Sequence, residues 1–94
     1  MDENFPEFID QPIDGTLDLH TFSPNEVKTL IPDYIEACLE KEITELRIIH
    51  GKGSGTLRAL VHSILEKHPK VSSYWQEEGS GGSWGATIVD LRKD

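Results

Sequence analysis

Two histidines stand out in this chain because of what surrounds them. His20 closes the run Thr16-Leu17-Asp18-Leu19-His20, and His50 closes Glu45-Leu46-Arg47-Ile48-Ile49-His50. Imidazole titrates near neutrality, which suits it to moving protons. Asp18 lies two residues before His20, on the same face of an extended strand, where a carboxylate orients the ring or supports its charged form. His50 runs directly into Gly51-Lys52-Gly53-Ser54-Gly55. Glycines let a backbone turn its amides inward and approach a ligand closely, and Lys52 adds a cation. The sum is an anion site with two titratable rings and one carboxylate nearby.

Cleavage of a phosphodiester needs a proton acceptor, a donor for the leaving oxygen, and stabilisation of charge on the phosphoryl oxygens. In that chemistry His20 is the general base or acid and Asp18 its partner. His50 is a second proton-transfer group or a phosphate contact. Lys52 and the loop around it (Gly51, Gly53, Ser54 and Gly55) hold the phosphate, with Arg58 in the first turn of the next helix within reach. The loop fits neither the dinucleotide GxGxxG pattern nor the Walker GxxxxGK[ST] pattern, and a purely structural strand-to-helix turn also favours glycine. No carboxylate cluster of the two-metal kind is present, so a route without metal or cofactor is expected. A divalent metal held by His20, His50 and Asp18 is the alternative.

The elements that must position these groups are legible in the hydrophobic pattern. Residues 16–20 and 45–50 alternate as strands, as do Val71 to Gln76 and Gly85 to Leu91, with the turn-rich segment 77–83 between the last two. Ser23-Pro24-Asn25-Glu26 is a helix start with a capping box. Val27, Leu30, Ile31, Tyr34, Ile35, Cys38 and Leu39 then form one apolar stripe, on which Cys38 reads as a buried thiol and Pro32 predicts a kink. Leu57, Leu60, Val61, Ile64 and Leu65 mark a second helix, stopped by Pro69. Arg58, His62 and Glu66, spaced by four, read as its solvated face, and His68 as a helix-end residue. Trp75 and Trp84 read as packing residues of the last hairpin, with base stacking as the alternative.

The order β-α-β-α-β-β predicts parallel pairing through crossovers, with the two helices on one face of a four-stranded mixed sheet: an α+β two-layer sandwich. Strands one and two, as parallel neighbours, bring His20 and His50 to one carboxyl edge. Ligands of open α/β sheets generally bind there, and both helix N-termini point at it.

Leu17-Asp18-Leu19-His20 followed by His50-Gly51-Lys52-Gly53-Ser54-Gly55 resembles the paired LDLH and HGxGxG motifs of the Smr (small MutS-related) domain family, in the form of a stand-alone Smr protein. Gly82-Ser83-Trp84-Gly85-Ala86-Thr87-Ile88-Val89 is similar to that family's closing strand. The resemblance spans residues 13–92. It implies a fold like the C-terminal domain of translation initiation factor three. It also implies binding and endonucleolytic nicking of DNA or RNA, with a link to DNA repair or recombination. Its acid and histidine fall on Asp18 and His20, and its glycine-loop positions on His50, Gly51, Gly53 and Gly55. One departure is Thr21, where the family motif commonly continues with glycine. A nucleic-acid-binding module without catalysis is the second reading, and a protein-interaction domain the third.

Charge bears on all three readings. The 94 residues hold 17 Asp plus Glu against 9 Lys plus Arg, a net charge of −8. Phosphate backbones are bound largely by Lys and Arg, so this balance opposes tight, sequence-blind binding. Five of the acids lie in residues 1–16, which contain no base, and Arg47 to Lys70 contains five bases and one acid. The expectation is weak, salt-sensitive binding of DNA or RNA, with an acidic arm at 1–12 ahead of a domain at 13–94. One cysteine, no signal peptide and no apolar run long enough to span a bilayer point to a cytoplasmic protein without a membrane partner. Oligomeric state is not legible.

Overall fold

The computed structural model describes residues 13–51, 55–77 and 85–93. Its elements are β1 (Thr16–Asp18), α1 (Pro24–Glu40), β2 (Glu45–Ile49), α2 (Thr56–Lys67), β3 (Val71–Gln76) and β4 (Ala86–Leu91). The sheet order is β1-β2-β4-β3. β1 runs parallel to β2, and β4 is antiparallel to both β2 and β3. The result is the expected α+β sandwich: a mixed four-stranded sheet with α1 and α2 packed against each other over one face. β3 is not adjacent to β2, because β4 folds back from it into the gap between them.

Strand alternation decides which residues meet the helices. Leu17 and Leu19 are fully buried, as are Leu46 and Ile48, and Val89 and Leu91 join them. These side chains pack on Val27, Leu30, Ile31, Tyr34, Ile35 and Cys38 of α1 and on Val61 and Leu65 of α2. Each fully buried aliphatic side chain contributes roughly 1.5–3 kcal/mol of transfer free energy. The two leucines of the first motif are therefore structural, and they fix the face on which its acid and histidine lie. In β3 the register shifts between Val71 and Ser73. That irregularity lets Val71 and Tyr74 both pack on the core while Trp75 stays on the open face, 48% exposed.

α1 begins as its sequence predicts. Ser23 Oγ accepts from the Glu26 amide at 3.3 Å, and Glu26 Oε1 accepts from the Ser23 amide at 2.8 Å. The helix continues past Pro32 to Glu40 without interruption. It ends in a Schellman arrangement: the Ile43 amide donates to Cys38 O at 2.8 Å and the Glu42 amide to Leu39 O at 3.0 Å. Glu42 takes the left-handed position that this cap requires, with φ 62°. Tyr34 ties α1 to the start of β1. Its hydroxyl accepts from the Gly15 amide at 3.1 Å and donates to Thr16 O at 3.0 Å. Burial there pushes its pKa up to about 12. Burial likewise pushes the Cys38 thiol up to about 11, as befits a core residue.

Candidate functional site

The carboxyl edge of β1 and β2 is built by a short extension of their ladder. Asp18 stands opposite Ile49 in the parallel register, and the Leu19 amide donates to Ile49 O at 2.9 Å. β2 then leaves β1. The amides of His50 and Gly51 both turn to Gly85 O, at 2.8 and 2.9 Å, and Gly51 bends with φ 83°. A Cβ at Gly51 would meet nothing within 4 Å, so backbone conformation rather than space calls for glycine there.

His20 and His50 reach this edge on opposite faces of the sheet. In β1 the odd-numbered Leu17 and Leu19 face the helices, so Asp18 and His20 face away. In β2 the even-numbered Leu46 and Ile48 face the helices, and His50 follows them. Asp18 Oδ1 accepts from the His20 backbone amide at 3.0 Å and lies 2.9 Å from His20 Nδ1. The hydrogen bonds from His20 and its nearby positive charge hold the Asp18 carboxyl below its ordinary value. The His20 side chain is 76% exposed, with its Nε2 the nitrogen not turned to Asp18. His50 is 7% exposed, and both its nitrogens have partners: Gly51 O at 3.2 Å from Nδ1 and Thr87 Oγ1 at 2.8 Å from Nε2.

Behind His50 the expected solvated face of α2 needs correction. Arg58 and Glu66 are exposed, but His62 is half-buried. Its Nε2 lies 2.8 Å from the same Thr87 Oγ1, and its ring packs on Tyr74 with centroids 5.1 Å apart. His62 flanks Val61 on the helix surface, so it sits at the border of the apolar stripe rather than opposite it. Thr87 on β4 is fully buried and faces the helix layer. Sequence reasoning missed both; the signal was a hydroxyl at an inward position of β4, where Val89 and Leu91 mark the parity.

A pocket of about 190 Å³ opens between the starts of the two helices. Phe22 and Pro24 line one side, Gly55, Thr56, Leu57 and Arg58 the other, and His50 with Gly51 the floor. Gly55 caps α2 in the left-handed region (φ 90°) and has no side chain of its own to bond the first-turn amides. A Cβ there would lie 3.4 Å from the Arg58 guanidinium, which folds over the start of the helix. Lys52, Gly53 and Ser54 lie outside the described residues, as do Trp84 and the arm at 1–12. Thr21 is exposed in the turn closed by the Phe22 amide on Leu19 O at 3.0 Å. Among the described residues Glu42 alone of the non-glycines has positive φ, so the turn at Thr21 does not call for glycine. Arg47 is paired with Glu77 at 2.8 Å on the open face, and His68 caps the end of α2 as expected.

Among the described residues no group of three or more His, Cys, Asp or Glu side chains forms a metal-binding cluster, and no helix is long and apolar enough to cross a membrane. The chemistry offered by the arrangement is a carboxylate-held imidazole on one face of the sheet edge and a pocket lined by the Arg58 cation on the other.

The Smr domain family model matches residues 17–92. The chain is 35% identical over 80 residues to the endonuclease MutS2 of Halothermothrix orenii, covering 85% of this chain and 10% of that protein. It is 32% identical over 77 residues to the endonuclease MutS2 of Clostridium novyi, covering 82% of this chain and 10% of that one. The chain thus spans about a tenth of the length of these curated relatives. Among solved structures, the Smr domain of Thermus thermophilus MutS2 superposes with a TM-score of 0.77 at 28% identity, covering 84% of this chain and 99% of that one. YdaL, a stand-alone small MutS-related protein from Escherichia coli, superposes with a TM-score of 0.77 at 27% identity, covering 87% and 67%.

Proposed function

The chain belongs to the Smr domain family, and from that premise we propose that it binds DNA or RNA and cuts one strand at the Asp18–His20 edge. The observation that carries the reading is the exposed His20 ring, held through Nδ1 by Asp18 at 2.9 Å. A carboxylate on Nδ1 fixes the tautomer and supports the imidazolium that forms when Nε2 takes a proton.

In the proposed reaction His20 Nε2 removes a proton from the attacking hydroxyl or water as its oxygen bonds to phosphorus. The bond from phosphorus to the leaving oxygen breaks, and that oxygen takes up a proton from the His20 imidazolium or from water. The neighbouring phosphate of the strand rests at the start of α2, against Arg58 and the first-turn amides, with Lys52 from the adjoining loop. His50 holds the floor of this pocket through Gly51 and does not transfer protons, because both its nitrogens face internal partners.

The test is nicking of supercoiled plasmid and cleavage of single-stranded RNA by the whole chain, each with and without EDTA. Folded His20→Ala protein is expected to lose about 10²- to 10⁴-fold in cleavage rate while its affinity for the same strands changes little. Cleavage at the wild-type rate by that variant overturns the assignment. The EDTA arm decides whether a divalent metal takes part.

One observation favours the second reading, a binding module without catalysis. The pocket lies on the helix side of the edge, and neither Asp18 nor His20 lines it. Wild-type protein that retards single strands and never cuts them bears that reading out.

A further inference from the structure

We propose that His62 and Thr87 are positioning residues, which lock the His50 ring in a single tautomer with Nδ1–H on the carbonyl of Gly51. Three elements meet in this lock: α2 supplies His62, β4 supplies Thr87, and the end of β2 supplies His50.

The polarity of the chain of hydrogen bonds follows from its ends. Gly51 O is a carbonyl oxygen and only accepts, so His50 Nδ1, 3.2 Å away, holds the proton. In a neutral ring the other nitrogen, Nε2, is then an acceptor. The donor facing it at 2.8 Å is the Thr87 hydroxyl. A hydroxyl has one proton, and here it is directed to His50. Thr87 Oγ1 therefore accepts from His62, whose Nε2 lies 2.8 Å from it and holds the proton of that ring. His62 is kept in place by Tyr74, and its ring meets the His50 ring edge-on with centroids 6.3 Å apart. No alternative assignment satisfies all three contacts while both rings stay neutral.

The lock acts on the pocket floor. Gly51 is held at its amide by Gly85 O and at its carbonyl by His50 Nδ1–H. Its left-handed bend sets the direction in which the chain leaves β2 for the start of α2. Neither His62 nor Thr87 lines the pocket; their bonds and ring contact reach it at His50, which does.

Thr87→Val removes the hydroxyl and keeps the branched shape; Thr87→Ser keeps the hydroxyl. Long-range ¹H–¹⁵N spectra of the imidazole rings, recorded on the whole chain at pH 8, read the tautomer directly. Wild type and Thr87→Ser are expected to show His50 in the Nδ1–H form alone, and Thr87→Val a mixture of both forms. Affinity for a fluorescent single-stranded oligonucleotide is expected to fall roughly tenfold in Thr87→Val and to stay near wild type in Thr87→Ser. A folded Thr87→Val protein with His50 still wholly in the Nδ1–H form overturns the proposal. Should that variant fail to fold, His62→Phe against His62→Gln makes the same comparison, because a glutamine amide still donates to Thr87 Oγ1. Here too an unshifted tautomer in the folded phenylalanine variant overturns the proposal. The affinity arm rests on the nucleic-acid reading and the tautomer arm does not. A wild-type chain that binds no oligonucleotide removes that reading, while the spectra still decide the lock.

Discussion

An imidazole enclosed by protein resists a second proton, and His50 and His62 are each affected in this way. Burial is the main cause for both, and it moves both below the ordinary value of 6.5. The Arg58 charge lowers both further and His50 adds to the effect on His62, while the bond to Gly51 O works the other way on His50. The sign for stability follows. Above 6.5 both rings are neutral whether the chain is folded or not, so they impose no penalty. As pH falls below 6.5 the unfolded chain takes up protons that the folded chain refuses, and stability is lost until the folded values are passed. Asp18 is depressed from 3.8, so its contribution is lost only at lower pH. The midpoint of urea unfolding is therefore expected to fall between pH 7.5 and 5.5, and less steeply in His62→Gln. A flat midpoint over that range in wild type refutes the account. The opposite placements of His20 and His50 were available in the sequence as strand parity. Leu17 and Leu19 put even numbers outward in β1, whereas Leu46 and Ile48 put even numbers inward in β2. Convergence on one edge was legible from the topology; which face each ring takes required comparing the two leucine registers. The Thr87 bridge was less legible, because it depends on β4 inserting beside β2, and nothing local to residues 86–91 specifies that neighbour.

Element boundaries followed local chemistry wherever a specific cap encoded them. Ser23, Pro24 and Glu26 form at the start of α1 the capping box that their spacing predicts. Pairing order was harder to read, because β-α-β-α-β-β fits more than one sheet order and the choice rests on long-range packing. The C-terminus of α1 shows a mismatch between element and sequence. Its Schellman cap is complete in hydrogen bonds, yet Glu42 occupies the position with φ 62° that glycine takes without strain. A left-handed residue with a Cβ costs roughly 1–2 kcal/mol, and glycine returns part of that through greater unfolded-state entropy. Glu42→Gly is therefore expected to stabilise the fold by about 0.5–1 kcal/mol. Glu42→Ala keeps the Cβ and is expected to gain nothing. Chemical denaturation of the two variants side by side separates conformational relief from removal of a charge, and equal stability of both removes the conformational explanation. α2 starts differently. Gly55 caps it with no side-chain acceptor, and the pocket is lined by this same start of the helix.

Across the whole molecule the question is how so acidic a chain could hold a polyanion. Among the described residues the bases of the segment from Arg47 to Lys70 do not make one patch. Arg47 is on the open face of the sheet and paired with Glu77, while Arg58 is at the start of α2 beside the pocket. Lys67 is nine residues further along that helix, about 13 Å away along its axis. Among the described residues Arg58 is the base that lines the pocket, and few phosphate contacts with weak affinity are expected from it. Residues 1–12 contribute four acids and no base, so deleting them takes the net charge from −8 to −4. Exposed charges act over about 10 Å at 0.1 M salt and over about 30 Å at 0.01 M, so the arm's repulsion reaches a bound strand mainly at low ionic strength. Deletion of residues 1–12 is expected to raise affinity for a single-stranded oligonucleotide by about threefold near 0.02 M salt, with the gain vanishing near 0.3 M. Replacing the four acids by their amides in the full chain should reproduce the gain, because the effect belongs to charge and not to length. Equal affinity of the truncated and full chains at low salt, with both folded by circular dichroism, overturns the shielding argument. A gain that persists unchanged at 0.3 M salt overturns it as well, since steric occlusion would have to replace repulsion as the cause.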